Sequence, residues 1–227
     1  MVLQARYAGV GSPTPALARN RQSGFTLIEL IGVIAVISIL AAIMIPKVYT
    51  AIESARINNA AMSIRTSKTA CVDHFARFGS FMVDGSQGNP ASLTPGQQNF
   101  FDQVLVAEAL LDKPFAIKIG SGIIGSAGTH IQVFDCSALT TTSVVTPDMT
   151  SGFNLGGNAT NLNDMIGSVC VEAVIKGATA VDAKSLNDII DGPKFGASVN
   201  SADLVGKVKY DAPSNGVTTI YVYLTHR

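Results

Sequence analysis

Tryptophan is absent from this 227-residue chain, aromatic residues make up only 7% of it, and no acidic residue occurs before Glu29. Without aromatic bulk, Val, Ile and Ala carry much of the 47% hydrophobic content. The missing acids leave Arg6, Arg19 and Arg21 unbalanced in residues 1–24, although the whole chain is formally neutral. The other 203 residues hold 13 basic against 16 acidic side chains. A basic leader ahead of an apolar run is retained on the cytoplasmic side of a membrane. The acidic remainder offers no general attraction for a phosphate backbone, so no nucleic-acid partner is expected.

Chemistry-bearing patterns are missing as well. There is no phosphate-binding glycine loop, no zinc cysteine pair, no nucleophile elbow and no EF-hand loop. His74, His130 and His226 are scattered and share no catalytic or metal-ligand spacing. The chain therefore reads as a non-enzyme with no cofactor and no metal site. Cysteine is scarce, with Cys71, Cys136 and Cys170 alone. In an oxidising compartment one bridge and one spare thiol would result, and Cys136 with Cys170 is the pair to expect, since both lie in strand-like stretches. Three small buried hydrophobes is the competing reading.

What the chain does have is a long apolar run. Of the 21 residues Phe25–Ile45, only Thr26, Glu29, Gly32 and Ser38 are not clearly apolar. As a helix rising 1.5 Å per residue the run is about 31 Å long, one hydrocarbon thickness. A secretory signal would have a shorter core and a small-residue cleavage site behind it. Here the small residue, Gly24, stands in front, and the run continues into Pro46-Lys47-Val48. A plain anchor explains length and orientation but gives Glu29 no purpose beyond snorkelling to the membrane edge.

The stretch "SGFTLIEL" followed by "IGVIAVISILAAIMIP" resembles the N-terminus of type IV pilins and of type II secretion pseudopilins. The resemblance covers residues 21–50 and implies that a prepilin peptidase cuts between Gly24 and Phe25 and methylates the new amine of Phe25. Glu29 falls on the family's motif glutamate and Pro46 on its helix-kinking proline, whereas Ser38 stands where many members have glycine. The resemblance implies a structural subunit of a type IV pilus or a type II secretion pseudopilus. Before assembly it would sit in the bacterial inner membrane as a single pass, N-terminus cytoplasmic. Afterwards it would lie in a periplasmic pseudopilus or a cell-surface pilus. Expected partners are other pilin subunits in a homo-oligomeric filament, the prepilin peptidase, the inner-membrane assembly platform and membrane lipid. Glu29 is then an assembly contact, because a carboxylate neutralises a neighbour's Phe25 amine where an unpaired charge is costly. Gly32, Ala35, Ser38, Ala41 and Ala42 would let such helices approach closely. Some pseudopilins hold calcium near their C-terminal strands. Asp188, Asp191 and Asp203 could supply oxygens, but their spacing reads as a solvated loop.

Beyond Pro46, Ile57, Ala61, Ile64, Cys71, Phe75 and Phe78 recur on one helical face, with Gly79 as the stop. One helix of about 50 residues results, its second half amphipathic. Residues 79–97 read as a loop, and Thr94-Pro95 as the start of a short helix reaching Leu111 with Phe101, Val104, Leu105 and Leu110 inward. "FAIKIG", "HIQVFDCS" and "SVCVEAVIKG" read as strands, and 137–168 as a long exposed loop. "VDAKSLNDIIDG" reads as a helix capped by Asp182 and ended by Gly192. "GKVKYDAPSNGVTTIYVYLTHR" reads as a hairpin turning at Asn215-Gly216, its Ile220, Val222 and Leu224 face inward. The fold class is α+β, a long N-terminal helix packed on an antiparallel sheet. The expected organisation is a leader at 1–24, the helix at 25–78 with its membrane segment at 25–45, and a head at 79–227 ending in the hairpin. The alternative function is a minor pilin acting through its head as an adhesin or DNA-uptake module, for which the 137–168 loop is the support.

Overall fold

The computed structural model describes residues 24–81, 101–125, 127–136, 139–140, 142–148, 151–157, 162–193 and 196–227. The chain divides into two compact units, 1–48 and 49–227. In order along the chain the elements are α1 (Leu27–Phe78), α2 (Phe101–Ala107), β1 (His130–Asp135), β2 (Val169–Thr179), α3 (Ala180–Ile190), β3 (Val208–Tyr210) and β4 (Val217–His226). The α+β class is as the sequence indicates. The four strands form one sheet in the order β1-β2-β4-β3, with every pairing antiparallel.

Alternation along the strands gives this sheet two buried faces. On the first, Ile131 and Val133 of β1, Val171, Ala173 and Ile175 of β2, Val208 and Tyr210 of β3 and Ile220, Val222 and Leu224 of β4 share one core with α1. The α1 contribution is Ile57, Ala60, Ala61, Ile64, Ala70 and Cys71, spaced as the helical period requires. Phe75 is only partly buried, and Phe78, expected inward, is 58% exposed. The stripe runs out one turn before the helix ends, and Gly79 then takes a positive φ while donating to the Phe75 carbonyl.

The second face corrects the reading of 137–168 as an exposed loop. Phe134, Cys136 and Cys170 of the sheet pack with Phe153 and Met165, flanked by Leu139, Leu155, Tyr221 and Tyr223. Val145, Phe153 and Asn154 are fully buried. The segment's Thr, Gly and Asn content hid this role, because irregular backbone has no period from which an inward face can be read. Gly152 shows how close the layer lies. Its φ is +71°, and a Cβ there would stand 2.1 Å from the Asn163 side-chain oxygen.

Other expectations hold or fail locally. Asn215 and Gly216 both take positive φ between the paired Ser214 and Val217, the geometry of a two-residue hairpin turn. "FAIKIG" is not a strand. Residues 115–120 are irregular, although Phe115 and Ile119 are buried. Asp182 is not the cap of α3. Thr179 is, its hydroxyl accepting from the Asp182 amide at 3.1 Å, while Asp182 lies inside the first turn. The Thr94-Pro95 start lies outside the described residues, and the helix there is Phe101–Ala107.

Truncating Ile220, fully buried at the centre of the first face, to alanine should cost about 2–5 kcal/mol of stability, read by chemical denaturation. The same change at exposed Val199 should cost under about 0.5 kcal/mol.

Candidate functional site

In the first unit, α1 begins with a reciprocal cap that the sequence reading missed. Glu29 Oε2 accepts from the Thr26 amide and from the Thr26 hydroxyl, both at 2.8 Å, and the Thr26 hydroxyl accepts from the Glu29 amide at 3.3 Å. This is the capping box, whose signal Thr-x-x-Glu stands openly in "TLIE". The acid therefore satisfies backbone donors at the start of its own helix, where a negative charge also opposes the positive end of the helix dipole. Among the described residues Glu29 Oε1 accepts nothing, so one carboxylate oxygen caps the helix and the other stays open. Gly24 and Phe25 stand just before this cap, and Phe25 is 92% exposed.

Behind the cap the helix shows apolar side chains on all sides. Leu27, Ile28, Val33, Ile37, Leu40 and Met44 are all more than half exposed. A helix apolar all round belongs in a bilayer or in a bundle of its own kind. By length and composition α1 can cross a membrane. Ser38 returns its hydroxyl proton to the Ile34 carbonyl at 2.8 Å, so it hides its own polar group. Pro46 lies inside the helix, where it removes one backbone donor.

In the second unit the polar groups act inward. Asp203, 4% exposed, accepts from Asn187 Nδ2 at 2.5 Å and from the amides of Ala197 and Val205 at 2.9 and 3.1 Å. Asp191 accepts from the amides of Lys207 and Val208, both at 2.8 Å, and Asp188 pairs with Lys184 at 2.9 Å. Asp191 and Asp203 are therefore loop anchors rather than solvated loop residues, while Asp188 makes a partly exposed i,i+4 pair on α3. Among the described residues no three His, Cys, Asp or Glu side chains gather as metal ligands. His74, 2% exposed among Phe78, Phe81 and Phe101, meets Glu108 at 2.6 Å and ties α1 to the end of α2.

Cys136 and Cys170 come together in the second core, whereas Cys71 lies in the first. All three are unbonded buried thiols here, so the bridge expected between Cys136 and Cys170 is not formed in this structure. Burial pushes Cys136 up to about 12 and Cys170 well above its ordinary value, with the Glu172 carboxyl adding to both. Neither thiol ionises readily while covered.

Comparison with known proteins points to the same N-terminal residues. Residues 19–45 match the family described as the prokaryotic N-terminal methylation motif. The chain is 45% identical over 67 residues to fimbrial protein EcpB of Eikenella corrodens, a stretch covering 30% of this chain and 42% of that protein. The chain thus spans less than half the length of the curated relative it matches. No solved structure matches.

Replacing Thr26 with alanine should weaken the start of α1 by about 1 kcal/mol. Faster amide exchange at Leu27–Leu30, with α1 unchanged beyond Tyr49, is the expected readout.

Proposed function

We propose that the chain is a structural subunit of a type IV pilus or a type II secretion pseudopilus and polymerises through its N-terminal helix. The observation that carries this is the methylation-motif match at 19–45, falling on a helix whose apolar surface is unpartnered and whose carboxylate keeps one oxygen open. Residues 1–24 are the leader, 25–78 the helix with its membrane segment at 25–45, and 79–227 the head. Prepilin peptidase cuts between Gly24 and Phe25 and methylates Phe25. The new amine then begins one residue before Thr26, at a helix end with no basic leader left.

An ammonium in a low-dielectric setting needs a counter-charge, and a carboxylate there needs the same. Glu29 Oε1 supplies it to the amine of a neighbouring subunit while Oε2 continues to cap its own helix. Such a contact forms only after cleavage, which makes processing a condition for assembly. The remaining partners are the inner-membrane assembly platform and bilayer lipid. The protein passes from a single-pass inner-membrane form to the filament. The alternative of a head acting as an adhesin rested on 137–168 as an exposed loop. The packing of its described residues onto the sheet removes that support.

N-terminal sequencing and intact mass of membrane-extracted protein test the processing step. The expected chain starts at N-methylated Phe25 and has 203 residues; an intact Met1 would refute it. Two variants separate the roles of Glu29. Glu29→Ala should fold and insert yet enter filaments at no more than a few per cent of normal yield. Glu29→Gln keeps an acceptor for the Thr26 amide but has no charge, and it should fail equally. Normal filament yield from the glutamine variant would show that capping, not charge pairing, is what assembly requires.

A further inference from the structure

The second face of the sheet carries charges that the N-terminal machinery does not use. Lys209 on the edge strand β3 is fully buried, and its Nζ donates to the Asp148 carbonyl at 2.6 Å, the Gly152 carbonyl at 2.9 Å and the Ser151 hydroxyl at 3.2 Å. The rings of Phe153 and Tyr221 stand 4.6 and 5.4 Å from the same nitrogen. All of the ammonium's donors are therefore spent on the irregular layer over the sheet or on the ring beneath it.

Glu172 lies in the middle of the same face, also fully buried. Gln132, its partner across the β1–β2 ladder, donates to Oε1 at 2.5 Å, while Oε2 has no hydrogen-bond partner among the described residues. The oxygen of the Gln132 amide meets His130 Nε2 at 3.2 Å, and His130 Nδ1 faces the carbonyls of Gly125 and Gly128, both at 3.1 Å. The titratable and charged groups facing Glu172 are Lys209 from β3, His130 through Gln132 from β1, Tyr221 and the cross-strand partner Tyr223 from β4 and Asp148 from the covering layer. The thiols of Cys136 and Cys170 complete the set. A carboxyl with one oxygen unpartnered and no contact ion pair is far better held neutral than ionised.

We propose that the layer formed by Val144–Asp148, Ser151–Gly157 and Leu162–Met165 is a separately opening cover, latched to the sheet by Lys209 and loosened when Glu172 loses its proton. Among the described residues the cover adds no strand to the sheet; its isolated bridges are Val144–Leu162 within the layer and Asn154–Val205 to the segment before β3. Irregular segments that share no ladder with the sheet open at lower cost than the strands below them. Opening admits water to Glu172, Lys209, Cys136 and Cys170 together, so the cover also controls access to the two thiols.

The sign follows from burial. Desolvation pushes the covered Glu172 carboxyl up to about 7 from an ordinary 4.5, despite the opposing pull of Lys209. Below about pH 4.5 the proton is held whether the cover is open or shut. Between there and about 7 only the covered carboxyl keeps it, so closure weakens as pH rises through that window.

Hydrogen exchange of the full chain in detergent micelles, followed by mass spectrometry and normalised to intrinsic rates, tests this. Exchange at Phe153, Asp164 and Met165 should outpace that at Ala173 and Val222, and should rise about tenfold or more from pH 5 to pH 8. Glu172→Gln, which keeps an amide for Gln132, should reduce that rise to less than twofold. Lys209→Met should speed exchange at Val145, Thr146, Asp148 and Phe153 at both pH values while leaving β2 and β4 protected. Cover and strand amides exchanging at one common rate would overturn the separate cover. A pH dependence that survives Glu172→Gln would assign the titration to another group and overturn the latch.

Discussion

The head depends on one sheet being covered on both faces by layers of opposite character. On one side, Ile220, Val222 and Leu224 of β4 share a dry aliphatic core with the Ile57–Cys71 stripe of α1. On the other, Phe134, Phe153 and Met165 make a smaller core around a charged centre of Lys209 and Glu172. Apolar burial stabilises the first side at about 25 cal/mol per Å² and needs no particular chemistry. The second side must also satisfy the donors and acceptors it hides, or lose about 1–3 kcal/mol for each one left unmade. The irregular layer meets this demand for Lys209, because loop carbonyls can turn towards an ammonium where strand carbonyls cannot, but leaves Glu172 Oε2 without a partner among the described residues.

The same rule operates at the other end of the chain under different conditions. In the head, buried charges are matched within one molecule, with Lys209 held by three acceptors and Asp203 by three donors. At the start of α1, Glu29 is matched by its own Thr26 at one oxygen only. A single chain therefore matches Lys209 and Asp203 within its head, while the apolar side chains of its N-terminal segment stay exposed.

Most periodic sequence patterns appear in the structure, although "FAIKIG" forms no strand and Phe78 lies outside the buried stripe. The helical stripe at Ile57, Ala61, Ile64 and Cys71, the alternation in "VCVEAVI" and the Asn215-Gly216 turn each express a local rule, and each appears in place. The Thr26–Glu29 cap is equally local, since its Thr-x-x-Glu signal stands in "TLIE". By contrast, no local rule marks Phe153 or Met165 as inward. Lys209 alternates correctly for the second face, yet a lysine on an edge strand ordinarily guards that edge in solvent.

By itself the sequence determined the long helix, the hairpin and the antiparallel head, because those features rest on neighbours along the chain. Only the tertiary structure decided that Phe153 and Met165 cover the sheet, that Asp191 and Asp203 anchor loops, and that Glu172 and Lys209 lie under one layer. Those outcomes depend on residues dozens of positions apart meeting in space. A side chain's charge shows that it needs a partner, but only the packed chain shows which partner it finds.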